Sequence, residues 1–264
     1  MVSYIQIFLR KNLDLHISGL RVRIKPMFKW IAVIMVIVCA AILAALFFYR
    51  PPAVEKEAPP SWREDFLPVF GSAKGGAPKG WLFKEKPGTK RAVFSVAGNS
   101  KDGSFLHVEA DRASASLVTK ADSVDLTKTP ILRWRWRATA LPEGADGRVM
   151  DKDDQAIGIY VGTGGVLNNK SVSYRWDTDT PKKAEGSSLY GFGTIKVKWH
   201  TLRNKEDAAG GKWFVEERNV AEDFNKAWGF CPAVIYLSVS CNSQYTKSQA
   251  AADLAWIEFD PEKP

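Results

Sequence analysis

Hydrophobic and polar positions alternate most strictly over Ile131-Leu-Arg-Trp-Arg-Trp-Arg137, directly after Pro130. A strand repeats its side-chain direction every two residues. Leu132, Trp134 and Trp136 therefore share one face, and Arg133, Arg135 and Arg137 the other. A helix would scatter both sets around its circumference, and no single interface could then bury the indoles while leaving the guanidinium groups wet. The segment is expected as the central strand of a β-sandwich.

Shorter runs predict further strands at Trp81–Phe83, Ala92–Val96, Phe105–Ala110, Ala115–Thr119, Gln155–Gly162, Val172–Trp176, Ile195–Leu202, Trp213–Val215, Ala233–Ser240 and Leu254–Phe259. Turn signals such as Gly-Asn-Ser, Lys-Asp-Gly and Pro-Glu-Gly separate them. The pattern predicts an all-β fold, a two-sheet jelly-roll β-sandwich with one short helix, over residues 63–264. For the helix, Asn219 is the N-cap with Glu222 three residues on. Phe224 and Trp228 lie on one face, and Gly229 supplies the left-handed stop.

The N-terminal pattern is of another kind. Trp30 to Tyr49 holds twenty residues without a charge, flanked by Lys29 and Arg50. At about 1.5 Å per residue this is about 30 Å, the thickness of a bilayer's hydrocarbon core. A single N-terminal transmembrane helix is expected at 30–49, with Trp30 and Tyr49 at the lipid–water boundaries. An uncleaved anchor is favoured over a signal peptide, because the leading segment is long and no small-x-small site precedes Arg50-Pro-Pro. Six cations lie before the span (Arg10, Lys11, Arg21, Arg23, Lys25 and Lys29), which places the N-terminus in the cytoplasm and the sandwich outside the plasma or inner membrane. Segment 1–29 is either an amphipathic stretch on the inner leaflet, a disordered tail, or a dock for a partner's membrane helices. Residues 50–62 form a Pro-rich spacer.

Charge adds little beyond this. Residues 1–50 carry seven of the 37 basic residues and one of the 29 acidic ones, so the pI near 9.3 reflects mostly the membrane flank, and nucleic-acid binding is set aside. Cys39 lies in the span. Cys231 and Cys241 would be about 30 Å apart along one strand, too far for a disulfide. Three histidines (His16, His107 and His200) and no Cys/His cluster give no zinc site.

Several patterns together carry a resemblance: Phe105-Leu-His-Val-Glu-Ala-Asp-Arg-Ala-Ser-Ala-Ser-Leu117, Pro130-Ile-Leu-Arg-Trp-Arg-Trp-Arg137, Asp153-Asp154 before Gly158-Ile-Tyr-Val161, and Arg218-Asn-Val-Ala-Glu-Asp-Phe224. In order and spacing the chain resembles the bacterial domain-of-unknown-function family 3047 from roughly Phe66 to Phe259. The resemblance implies a jelly roll similar to galactose-binding-like and carbohydrate-binding modules, and it brings no established activity. Where the family carries an acidic Asp-x-Asp-Asn-Thr, this chain has Asn242-Ser-Gln-Tyr-Thr246. Its closing Gly-Asp-Ile-x-Phe is Ala255-Trp-Ile-Glu-Phe259 here. A calcium or ligand role for those acids is therefore not carried over.

The candidate ligand-binding residues fall into three groups. Arg133, Arg135 and Arg137 either grip a carboxylate, a sulfate or an acidic sugar, or pair with neighbouring acids such as Glu109 or Glu216. Asp153 and Asp154, preceding the strand at Gln155, become the partners of that ladder if the two strands are neighbours. Their spacing with Asp146 and Asp151 fits no EF-hand. Among the aromatics, Tyr174, Trp176 and Tyr190 are the candidates for exposure against a sugar ring, whereas the row Ile195/Val197/Trp199 is expected in the core. No catalytic triad, phosphate loop or G-x-S-x-G is present, and no cofactor or metal is implied.

Two functions follow. The first is a membrane-anchored, non-catalytic recognition module binding a saccharide or other envelope component. The second is an accessory subunit of a larger membrane protein complex, with the span docked on partner helices.

Overall fold

The computed structural model describes residues 62–67, 77–165 and 167–262, together with Ile34, Met35, Ile37 and Val38, which are helical and exposed. The rest of the expected span at 30–49 lies outside the described residues, as do segments 1–29 and 50–61. Among the described residues, no helix is long and apolar enough to cross a membrane. Met1–Lys56 and Glu57–Pro264 are separate compact units.

The second unit is a two-sheet, jelly-roll-like sandwich. Its strands are β1 (Trp62–Asp65), β2 (Leu82–Glu85), β3 (Val93–Asn99), β4 (Gly103–Asp111), β5 (Ser114–Lys120), β6 (Ile131–Ala140), β7 (Gln155–Thr163), β8 (Asn169–Trp176), β9 (Glu185–Tyr190), β10 (Ile195–Arg203), β11 (Phe214–Asn219), β12 (Tyr236–Asn242) and β13 (Gln249–Asp260). One sheet runs β11-β6-β13-β4-β3, with β1 also pairing with β13. The other runs β2-β5-β12-β7-β8-β10-β9. Strands β8 and β10 are parallel.

The central strand β6 behaves as its alternation demands. Leu132, Trp134 and Trp136 are fully buried, and Arg133, Arg135 and Arg137 are half-buried on the outward face. Trp134 stacks on Tyr174 across the sandwich at 5.2 Å, and Trp136 meets Trp176 edge-on at 5.5 Å. Burying a large apolar side chain is worth roughly 1.5–3 kcal/mol, so this indole layer is a principal source of cohesion between the sheets.

The helix α1 (Val220–Trp228) closes one end of the sandwich. The Asn219 side chain accepts from the Glu222 N–H at 3.2 Å, and Gly229 stops the helix with φ 78°. Its Phe224 enters the core. Cys231 is an exposed free thiol and Cys241 a buried one.

Candidate binding face

The arginine ladder lies outward on the six-stranded sheet and is bound into its own surface. Arg133 pairs with Glu217 and Glu258, both at 3.3 Å, and with Asp260 at 3.7 Å. Arg137 pairs with Asp253 at 2.7 Å and Asp102 at 3.2 Å, and His107 Nδ1 shares Asp253 at 2.6 Å. Arg135 stacks on Trp213 at 4.6 Å and Arg137 on the same ring at 4.3 Å. Of the two acids expected as partners, Glu216 instead faces inward, where it accepts from Trp136 Nε1 and Arg203. Glu217, one residue on, has the outward parity that the ladder needs.

Asp153 and Asp154 are not partners of this ladder. Their strand β7 is in the other sheet, between β12 and β8, so no side chain of theirs shares a face with β6. Asp153 meets Arg175 Nη1 at 2.7 Å. Asp154 accepts from the Tyr245 N–H and from the N–H and hydroxyl of Thr246, at 3.2, 2.7 and 2.8 Å. It thereby holds the loop that replaces the acidic motif.

Tyr174 and Trp176 were expected to be exposed, and both are fully buried in the core. They share one face of β8 with Arg175 on the other, and both faces are covered, since Arg175 is buried too. The Tyr174 hydroxyl donates to Asp223 at 2.7 Å and Trp176 Nε1 to the Asn204 carbonyl at 3.2 Å. The third aromatic, Tyr190, is half-buried and donates its hydroxyl to Asp153. Val197 and Trp199 are buried as expected. They lie, however, on the outward face of the seven-stranded sheet and outside the inter-sheet core.

That outward face follows from strand register. One row across the sheet reads Ser238, Tyr160, Ser173, Trp199, Gly186, and the next Tyr236, Gly162, Ser171, Val197, Ser188. Hydroxyls, glycines and rings dominate. Glycine here serves close approach, since a Cβ at Gly162 would stand 2.1 Å from the Tyr236 ring, and at Gly158 2.7 Å from the Tyr160 ring. At Gly186 it would stand 2.1 Å from the Trp199 ring. Three aromatic rings thus lie down against bare backbone.

The half of the face over β8 and β10 is roofed. Gly147 lies against the Arg175 guanidinium, and Asp153 reaches across to accept from Ser188 at 3.0 Å and from Tyr190. Arg175 is 1% exposed and meets Asp153 and Asp177, the latter at 3.0 Å. Burial works against its charge, and the two carboxylates overcome that, so its pKa lies above the ordinary value. Burial likewise raises the Tyr190 hydroxyl, with Tyr160 and Asp153 adding to it, and Tyr190 stays a donor. Beneath this layer the buried Ser173 Oγ, Trp199 Nε1 and Asn242 Oδ1 have no partner.

The half over β12 and β7 is open. Tyr160, Tyr236 and Ser116 are part-exposed there. The Tyr160 hydroxyl accepts from Gln155 Nε2 at 3.0 Å, and Tyr236 donates to Asn169 Oδ1. None of these residues was singled out from sequence. The signal was present in Gly158-Ile-Tyr-Val-Gly162 and Tyr236-Leu-Ser-Val-Ser-Cys-Asn242, where every second position is small, hydroxylated or tyrosine.

The fold and face define a β-sandwich with one sheltered, hydroxyl-rich surface. The family model described as "Protein of unknown function (DUF3047)" matches residues 79–258, and the chain belongs to that family. No curated protein matches the chain. Among solved structures, it is similar to the family 11 carbohydrate-binding module of the cellulosomal cellulase Lic26A-Cel5E of Clostridium thermocellum (8% identity, TM-score 0.40, covering 77% of this chain and 95% of that one). It is also similar to the mannan-recognising module TmCBM27 (13% identity, TM-score 0.28, 76% and 96%). A third is the catalytic domain of Humicola grisea Cel12A (9% identity, TM-score 0.37, 70% and 94%).

Proposed function

We propose that this protein is a membrane-tethered, non-catalytic recognition module that binds an uncharged saccharide across the open half of the outward seven-stranded face. The observation that carries the reading is the pair of part-exposed tyrosine rings laid flat on Gly158 and Gly162, with the part-exposed Ser116 on the same face. A flat ring offers an apolar platform to the C–H face of a pyranose, and the adjoining hydroxyls can exchange hydrogen bonds with the sugar's own. The ligand's lack of charge follows from the platform itself, since the two rings and their neighbouring hydroxyls are uncharged and two carboxylates already hold Arg175. The cations of this face, Lys84 opposite Ser116 and Lys120 opposite Tyr236, lie on the edge strand β2 and at the end of β5. The tether is the apolar segment 30–49, with the sandwich on the far side of the membrane.

Calorimetric titration of the full chain in detergent with neutral and uronic-acid oligosaccharides tests this. Binding of a neutral oligosaccharide, lost in Tyr160→Ala and Tyr236→Ala, is the expected result. Absence of binding to any neutral oligosaccharide would overturn the reading.

A further inference from the structure

One end of the sandwich differs from the rest of its surface. Strands β8, β10 and β12 begin there and β5, β7 and β9 finish there, so Gly164, Gly165, Leu167 and Asn168, the turn 191–194 and the segment 229–235 lie side by side. These carry Leu167 (82% exposed), Phe192 (110%), Phe230 (36%) and Val234 (65%), and Leu189 next to them is 67% exposed. Apolar tips gathered in this way mark a contact surface.

Phe192 is the most telling. It sits at φ 55°, ψ 34°, a left-handed conformation that side chains avoid, between Gly191 and Gly193, also at positive φ. The turn is pinned. The Thr194 N–H and hydroxyl donate to the Gly191 carbonyl at 3.2 and 2.8 Å, and Asn169 N–H donates to the Thr194 carbonyl at 2.9 Å. A costly backbone therefore holds a phenyl ring fully in water.

The cations beside these tips are equally out of place. Lys170 and Lys196 are directly opposite each other on β8 and β10, with Lys198 two residues along. Like charges facing across strands are unfavourable. Among the described residues none of the three has a carboxylate partner. Lys170 instead stacks on Phe230 at 5.1 Å and Trp228 at 5.5 Å, and Lys198 on Trp228 at 5.8 Å. The acids at this end are Asp122 and Asp125 in the crossover between β5 and β6, Glu222 on α1, and Asp260 and Glu262 at the end of β13; Lys128 pairs with Asp125 and Arg133 with Asp260.

The chain also arrives at this end. Strand β1 pairs antiparallel with β13, Trp62 opposite Phe259, and β13 finishes beside Ile131, where β6 begins. Residues 50–61 separate Trp62 from the apolar segment 30–49, and a Pro-rich run of that length reaches roughly 37 Å when extended.

We infer that this end of the sandwich docks on an anionic bilayer surface, with Phe192, Leu167 and Leu189 dipping into the interface and Lys170, Lys196 and Lys198 against lipid phosphates. Apolar tips ringed by lysines match the composition of interfacial anchors. Each lysine near an anionic surface is worth roughly a fivefold change in partitioning. Docking this way would hold the outward seven-stranded face upright beside the membrane.

The test is amide hydrogen exchange of the full chain reconstituted in phosphatidylcholine vesicles with or without phosphatidylglycerol. Residues 190–195 and 229–235 should exchange more slowly when phosphatidylglycerol is present, while residues 146–152 do not change. The variant K170A/K196A/K198A, whose changes are all at solvent-accessible lysines, should lose that protection. Equal exchange in both vesicle types would overturn the inference, as would protection that survives in the triple variant. Protection seen only in native membranes, pointing to a protein partner, would overturn it too.

Discussion

The two outward faces of the sandwich share a parity rule and little else. On the six-stranded sheet, arginines alternate with carboxylates across β6, β11 and β13, and Arg133 and Arg137 are each met by at least two acids. On the seven-stranded sheet a single arginine lies under a roof with two acids, and the open ground is tyrosine, serine and glycine with Lys84 and Lys120 beside it. The contrast separates two uses of a polar face. Where the charges of the six-stranded face are paired, at Arg133 and Arg137, the bonds serve the sheet itself, and Arg135 between them stacks on Trp213. A surface whose rings rest on glycine, with hydroxyls in reach of solvent, is arranged for something that is not part of the chain.

Substitutions sharpen that contrast, and the largest effect is expected where charge is most deeply buried. Arg175→Met leaves Asp153 and Asp177 without their cation in the interior, and about 3–5 kcal/mol of stability should be lost in urea denaturation. A loss under about 1 kcal/mol would mean that the roofed hub is not an ion pair in solution.

Next is Gly162→Ala. A Cβ placed 2.1 Å from the Tyr236 ring must push the ring off the sheet, costing roughly 1–3 kcal/mol. Saccharide affinity should fall together with stability. Gly165→Ala, whose Cβ would meet nothing within 4 Å and whose φ is not in the left-handed region, is the control.

Arg133→Ala on the opposite face should cost no more than about 1 kcal/mol, because Arg133 and Glu217 are partly solvated and Glu258 keeps its pairing with Arg63. Saccharide binding should be untouched, and a tenfold loss of affinity would reassign the binding face to the ladder.

The smallest effect expected is a pH slope. Hydrogen bonding to Asp253 raises His107 above its ordinary pKa of 6.5. A pKa raised on folding adds stability that is fully present below 6.5 and is lost as pH rises through the folded value. Denaturation of the native chain and of His107→Gln, compared from pH 6 upward, should show their stability difference shrinking.

The contrast between the faces was only half legible in the chain. Alternation located β6, assigned the parity of its tryptophans and arginines correctly, and set Tyr174 and Trp176 against Arg175. It could not say which side of β8 met the core. One side offered two large aromatics, the other two serines and an arginine, and a polar face reads the same whether it is roofed by a loop or open to ligand. The row Ile195, Val197, Trp199 deceived for the complementary reason, since an apolar row on the outward face is buried by β9 and the segment over Arg175.

Strand β9 itself was not foreseen. Glu185-Gly-Ser-Ser-Leu-Tyr190 has no apolar alternation, because Gly186, Ser188 and Tyr190 join the polar outward face and Glu185, Ser187 and Leu189 on the other side are exposed. Short β1 was missed as well, its Trp-Arg-Glu-Asp being defined only by its pairing with the end of β13. The helix cap at Asn219 and the stop at Gly229 are local chemistry, and both were readable without tertiary context.

Amide hydrogen exchange of the full chain, with and without a saturating neutral oligosaccharide, tests the central assignment most directly. Protection should appear on β7 and β12 around Gly158–Gly162 and Tyr236–Ser240, and nowhere on β6. Protection confined to β6, β11 and β13 would contradict the account and place the ligand on the arginine face.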